Sequence, residues 1–563
     1  MATANHTLEV DSLADKGGIF GHPRGLSTLF FTEFWERYSY YGMRSILTLY
    51  MTAPAVQGGL GFDVPTAATL YGSYTMWVYL TGLPGGRAAD RLFGAKLAVL
   101  LGGIVIVFGH VAMVFHSLPF FYGGLTLIAI GTGLLKPNIS TMVGSLYSEN
   151  DPRRDGGFSI FYMGINIGAL LAPLTVGYLA QGESFKCFLT SMGMDPAKSW
   201  HWGFGAAAVG MTLGLIVYLA TRKRIAHVGN RTTRQSSSSD TVIDGAIIGC
   251  VVGYLVRPAL ELGNMTAMLA NLPAWLQNLL NYILAIVGAA IGAGVGYLYP
   301  ATGTKGVTGP GDEVALNPQP EPPGVVKPGD IVELNPQPEP PGRAMQALTA
   351  ADWKRVGAIF IFFLFTILFW AAYEQKGASL NLFARDLVRT EVFGMKYPSS
   401  WLQSCTPAFV ILLAPLFSYL WMRLGSRQPS SPVKFTVGLV FIGLAYCLLV
   451  PAAWMTGQGR ISPLWLVGLY FLEVVGEMCL SPVGLSTVTK LAPVRLVGIM
   501  MGVWFLAAAF GNKLAGFLST FFVANNPTQL VKLYGGIAIG LLISAGILAL
   551  LTPKVKKLMG TVN

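Results

Sequence analysis

The hydrophobic pattern of the chain is dominated by long apolar runs broken by short polar stretches. Crossing a bilayer takes about 20 mostly apolar residues in a helix. Fourteen runs meet that length, at approximately 27–51, 66–89, 95–115, 119–145, 158–181, 203–221, 242–259, 276–298, 354–374, 400–423, 433–454, 463–489, 497–523 and 532–552. No ten-residue alternating segments occur, which argues against a membrane β-barrel. The pattern therefore predicts an all-α polytopic membrane protein with 14 transmembrane helices.

Composition agrees. Charged residues make up 12% of the 563 residues and apolar residues 53%, with a mean hydropathy of +0.55. Soluble proteins carry about 25% charged residues, so several soluble domains are excluded. The net charge of +11 does not point to nucleic acid, because the cations lie in short loops between apolar runs. Loops such as GGRAADRLFGAK, SENDPRRDGG and TRKRIAHVGNRTTR alternate with basic-free loops such as APAVQGGLGFDVP. The positive-inside rule then puts both termini in the cytoplasm of a multi-pass cell-membrane protein. The loop after the ninth run, with Lys376, Arg385, Arg389 and Lys396, breaks that rule. Five scattered cysteines without CxxC spacing read as small apolar fillers. The polar start of the chain shows no removable signal peptide.

Domain organisation follows from the spacing. Residues 1–26 form an N-terminal cytoplasmic segment and 27–221 a six-helix bundle. A basic linker and two inserted helices occupy 222–299, and a cytoplasmic linker 300–350. That linker repeats LNPQPEPPG at 316–324 and 334–342, with four prolines in each copy, favouring an extended polyproline spacer. A second six-helix bundle fills 351–553, followed by a basic tail at 554–563. Without the inserted pair, the arrangement is six plus six, as in two-half transporters.

The first run carries charges that a bilayer does not tolerate without cause. FTEFWERYSYYGMRSILTLY places Glu33, Glu36, Arg37 and Arg44 among apolar residues. At 100° per residue, Glu33, Arg37, Tyr40 and Arg44 fall within about 60° of one another. Glu36 and Tyr41 flank this stripe. Each charge costs about 2.5–3.5 kcal/mol at mid-bilayer. Such a cluster calls for a wet cavity and charged partners, and so for a proton or substrate site. Lys136, late in the fourth run, likewise needs a carboxylate or an anionic ligand nearby.

These motifs resemble those of the proton-dependent oligopeptide transporter family, bacterial type, a branch of the major facilitator superfamily. Glu33-x-x-Glu36-Arg37 followed by Tyr40-Tyr41-Gly42-Met43-Arg44 resembles its ExxER signature. GGRAADRLFGAK resembles the superfamily loop between helices two and three, and FSIFYMGINIGAL at 158–170 the family's fifth-helix signature. The resemblance implies a major facilitator fold of 6+6 helices with two extra helices between the halves. It implies a proton-coupled symporter of di- and tripeptides working by alternating access, with no cofactor besides the coupling proton.

By the same resemblance, Lys136 pairs with the ExxER glutamates and helps hold substrate, and Asn166 contacts the peptide backbone. Tyr79, Trp370 and Trp504 line the pocket. Glu374 matches the family's seventh-helix acid and Glu477 its tenth-helix acid. The implied proton-coupling set is Glu33, Glu36, Arg37, Lys136 and Glu374. The implied substrate set is Tyr40, Tyr41, Arg44, Tyr79, Lys136, Asn166, Trp370, Glu477 and Trp504. Thr406 stands where many bacterial members have asparagine, Ala508 where some have serine, and Gly72 where animal members have histidine. Glu473, four residues before Glu477 on the same face, has no role in this scheme.

Sorting the charges by half predicts a cavity with Arg44 and Lys136 on one wall and Glu374 and Glu477 on the other. That complements a zwitterion: carboxylate toward the cations, amino group toward Glu477. Carriage of another small solute, such as nitrate, a drug or an amino-acid-like compound, is the alternative on this scaffold. A membrane enzyme is disfavoured: HExxH and GxSxG are missing, and His110 and His116 stand apart in sequence.

Overall fold

A computed structural model of the chain describes residues 17–148, 151–230, 349–392, 394–493 and 496–560. The expected inserted helices at 242–259 and 276–298, and nearly all of the Pro-rich linker, lie outside them. Twelve long helices cover the other twelve predicted spans. Ten described segments are long and apolar enough to cross a membrane. The first two helices complete the twelve by position, the first being rich in charge and the second short.

The N-terminal bundle comprises α1 (Arg24–Thr52), α2 (Val64–Leu80), α3 (Ala95–Ala112), α4 (Leu118–Ser145), α5 (Arg154–Gln181) and α6 (Ser199–Ala220). Asp63 starts α2 by accepting a hydrogen bond from Thr66 N at 3.0 Å, as a capping carboxylate does at a helix N-terminus. The span predicted at 66–89 is not one straight helix. It breaks at Thr81, whose Oγ1 donates to Ala129 O of α4 at 2.8 Å, and resumes as Gly82–Ala88 and a π turn, Ala89–Phe93. Gly94, at φ +78°, closes that turn; left-handed backbone of this kind favours glycine.

The C-terminal bundle comprises α7 (Ala350–Tyr373), α8 (Cys405–Leu424), α9 (Ser431–Met455), α10 (Leu464–Leu491), α11 (Val497–Ser519) and α12 (Pro527–Met559). A capping box between Thr349 and Asp352 opens α7, satisfying two backbone donors at once. The stretch predicted as a loop after the ninth run is largely helical. It continues from α7 as a 3-10 turn, Glu374–Gly377, and a helix, Ser379–Leu387. Hydropathy ends at Glu374, but the helix does not, so Lys376 belongs to the span. α12 likewise continues into the basic stretch, running through Lys554, Lys556 and Lys557 to Met559. His116 does not stand alone either, since its Nδ1 lies 2.6 Å from His201 Nε2.

Within each half the helices pack in matching pairs, α3 on α4 and α9 on α10. Across the halves, α2 packs on α11 and α5 on α8. Glycines permit the closest approach. A Cβ on Gly72 of α2 would stand 2.7 Å from Gly516 Cα of α11, so no histidine fits there. Small residues let membrane helices approach in this way.

The halves are fastened at the end away from the start of α1. Thr48 Oγ1 donates to Gly377 O at 2.6 Å, Asn381 Nδ2 to Ser45 O at 2.8 Å and Arg385 Nη1 to Thr52 Oγ1 at 2.6 Å. Trp401 Nε1 donates to Leu174 O at 2.9 Å and Ser404 Oγ to Leu170 O at 2.8 Å.

Candidate functional site

The charged stripe of α1 faces the interior, as its angular spacing predicts. Glu33, Glu36, Arg37 and Arg44 are only 1–3% exposed. Glu33 and Arg37 are one helical turn apart, and Arg37 Nε lies 2.9 Å from Glu33 Oε1. Arg37 also forms an ion pair with Glu36. Both carboxylates thus share one guanidinium, which also sits 5.5 Å from the centroid of the Tyr40 ring. Partners of opposite sign are what lets charges persist away from water.

Arg44, two turns further along, does not stand free on the cationic wall. Its guanidinium is paired with Glu374, from the other half, and donates to the hydroxyl of Tyr71. Gly377 makes room for this contact: a Cβ there would meet the Tyr71 hydroxyl at 1.6 Å. In this conformation Arg44 and Glu374, which the zwitterion scheme set on opposite walls, neutralise each other.

Lys136 Nζ lies 4.3 Å from the centroid of the Tyr79 ring, a cation–π contact, and faces Glu36, Glu33 and Glu374 electrostatically. Pro137 follows it inside α4. These arrangements bring Lys136, Tyr79, Tyr40 and the glutamate pair around one region.

On the opposite wall, the hydroxyl of Tyr373 donates to Glu477 Oε2. Trp370 packs edge-on against Tyr373, with centroids 5.2 Å apart. Trp504 sits against Phe435 at 6.0 Å, and a Cβ on Gly484 would come within 2.3 Å of its ring. Asn166 donates to the Tyr162 carbonyl one turn earlier, at 2.9 Å. Tyr162 is 42% exposed and yet interacts electrostatically with Glu477 of the other half. Tyr41 is half-buried and stacks edge-on with Tyr40 at 5.3 Å. Thr406 is buried, and its hydroxyl has no hydrogen-bond partner among the described residues.

Four residues of this region escaped the sequence analysis: Tyr71, Tyr162, Tyr373 and Lys376. Lys376 Nζ lies 3.4 Å from the centroid of the Tyr373 ring and faces Glu374, Glu477 and Glu473. The signal was present, since a lysine two residues after a membrane acid is as costly as Lys136. Hydropathy placed it in a loop.

The comparisons with known proteins agree with the geometry. The model of the POT family matches residues 96–248 and 341–536. The chain is 38% identical to an uncharacterized transporter, YclF, of Bacillus subtilis over 99% of both chains. It is 34% identical to a di-/tripeptide transporter of Lactococcus lactis, covering 97% of this chain and 98% of the relative. The crystal structure of a mutant form of a peptide transporter POT in complex with alafosfalin superposes with a TM-score of 0.75, at 36% identity, covering 98% of this chain and 99% of that one. The chain is a multi-pass membrane protein of the proton-dependent oligopeptide transporter (POT) family.

Proposed function

We propose that the protein imports di- and tripeptides together with protons, by alternating access of the cavity between its two bundles. The observation that carries this reading is the meeting of charges from both halves: Glu33, Glu36, Arg37, Arg44 and Lys136 from one, Glu374, Lys376 and Glu477 from the other. The Lactococcus relative is named for di- and tripeptides, and the superposed transporter holds alafosfalin. In this reading Lys136 receives a peptide carboxylate and Glu477 its amino group. Tyr40, Tyr41, Tyr79, Trp370 and Trp504 supply apolar walls, and Asn166 an amide for the peptide backbone.

Proton coupling requires carboxyls whose partners change between conformations. Glu33 and Glu36 share Arg37 and face Lys136; Glu374 holds Arg44. Proton and peptide then bias the same rocking equilibrium. The positive-inside pattern supports an orientation with the fastened end of the bundles outside and the termini in the cytoplasm. Substrate leaves toward the inside. The chemistry asks for no cofactor beyond the proton.

The test is uptake of a labelled dipeptide by proteoliposomes with acid outside. Accumulation above equilibrium that an uncoupler abolishes is the expected result. Equilibration alone, with or without the gradient, would remove proton coupling; no uptake of any di- or tripeptide would remove the substrate class.

A further inference from the structure

Glu473 is the buried acid for which the transport scheme has no use. It lies in α10, one turn before Glu477, and is 0% exposed. Neither of its carboxylate oxygens meets hydrogen-bond geometry with a donor among the described residues. A naked carboxylate in such a place costs several kcal/mol or more. The charged and titratable groups around it are few. Lys376, Glu374 and Tyr373 face it from the end of α7, Tyr446 from α9, and Tyr470 and Glu477 from α10 itself. Tyr534 of α12 faces the tyrosines instead.

Most of these groups are already engaged. Glu374 holds Arg44, Glu477 accepts from Tyr373, and Tyr446, though its hydroxyl lies close to Glu473, donates to Ala372 O at 2.8 Å. Among the described residues, the cation that faces Glu473 is Lys376, whose ammonium rests on the Tyr373 ring. Its backbone belongs to the 3-10 turn that interrupts α7, followed by Ala378 at φ −119°, ψ −104°. The same turn carries Glu374, which pairs with Arg44 of the other half.

We infer that Glu473 is a proton-carrying group of the transport cycle, neutral in the conformation described here and ionised when the Lys376 ammonium turns from the Tyr373 ring onto its carboxylate. The proton leaves the Glu473 hydroxyl for water of the cavity as Lys376 arrives, and returns from water as Lys376 withdraws. The trigger is separation of Arg44 from Glu374, which moves the turn. Glu473 is therefore a positioning and proton-storing residue behind the Glu477 site; it does not touch the peptide. This inference rests on the proton-coupled reading given above.

The experiment compares two modes of transport in proteoliposomes, with wild type run alongside. Counterflow exchanges labelled for unlabelled dipeptide at symmetrical pH and needs no net proton movement. Glu473→Gln, a neutral isostere, is expected to keep counterflow and to lose gradient-driven accumulation by at least about five-fold. Lys376→Gln is expected to reduce gradient-driven accumulation as well. Infrared difference spectra of wild type should show a protonated carboxyl band that Glu473→Gln removes. Gradient-driven accumulation by Glu473→Gln equal to wild type, or an unchanged carboxyl band, overturns the inference. Equal loss of counterflow and accumulation would reduce Glu473 to a structural part and overturn it too. Should wild type itself fail to accumulate peptide, the proposed function falls, independently of Glu473.

Discussion

Arg44 of α1 and Glu374 at the broken end of α7 form a buried ion pair that joins the two bundles, 330 positions apart in the chain. It lies just below the fastened end, beside the hydrogen bond from Thr48 to Gly377. Opening that end must separate the pair or carry a proton to it. Removing one partner leaves an uncompensated charge, which typically costs about 3–5 kcal/mol. Glu374→Gln is expected to lower the thermal unfolding midpoint in detergent and to abolish gradient-driven uptake. Arg44→Gln combined with Glu374→Gln should recover most of the stability but none of the coupling. A double variant no more stable than either single variant would show that the pair does not hold the halves.

Glu33 and Glu36 divide one guanidinium between them. Neutralising either leaves Arg37 a single anion, and neutralising both leaves it none. Glu33→Gln and Glu36→Gln are each expected to keep counterflow while losing at least about ten-fold in gradient-driven accumulation. If both accumulate dipeptide as wild type does, the coupling assignment is wrong.

Tyr373 donates to Glu477 and so orients the carboxylate assigned to the peptide amino group. A hydrogen bond to a charged group contributes about 1.5–3 kcal/mol. Tyr373→Phe should weaken binding of a free-amino dipeptide and leave its N-acetylated analogue unaffected, as read by calorimetry on purified protein. Equal weakening of both ligands would detach Glu477 from the amino group.

Gly72 and Gly516 set the approach of α2 to α11. The neighbour of an added Cβ is backbone, which cannot turn aside. Gly72→Ala should destabilise the described conformation by about 1–3 kcal/mol, the usual cost of overpacking. Gly205→Ala is the control, since its nearest neighbour, Val114 Cγ2, lies 3.8 Å from the added Cβ. Matching melting midpoints for the two variants would show that the crossing is not tight.

Outside the membrane spans, Asp151 is held below the ordinary carboxylate value of 3.8, first by the side-chain hydrogen bonds of Arg153. Arg153 also donates to Gly21 O at 2.9 Å, tying the start of the chain to the α4–α5 connection. A depressed acid stabilises the fold at pH values above its unfolded pKa. This contribution fades as pH falls below about 4. Asp151→Asn should lower stability at pH 7 and leave it nearly unchanged at the acid limit, measured by detergent-resolved unfolding. A difference independent of pH would contradict the assignment.

Most of the helical architecture was legible in the hydropathy of the chain because bilayer thickness imposes a length on every apolar run. Twelve expected spans lie on helices of the structure, and the clustering of Glu33, Arg37, Tyr40 and Arg44 on one face followed from helical periodicity alone. The misreading of the stretch after Glu374 has a plain cause. Lys376 was assigned to a loop because polarity ends an apolar run, whereas a helix continues as long as its backbone hydrogen bonds are met and its polar side chains find a cavity.

The order of residues along the chain therefore determined that buried charges exist, on which helices, and that they demand a protein-lined interior. Tertiary structure alone decided their partners. Arg44 met Glu374, Lys376 came to rest on Tyr373, Gly72 met Gly516, and neither oxygen of Glu473 met hydrogen-bond geometry with a donor among the described residues. Periodicity fixes the direction in which a side chain leaves its own helix. Which atom waits there depends on how the helices and the two bundles lean on one another, and no local pattern encodes that distance.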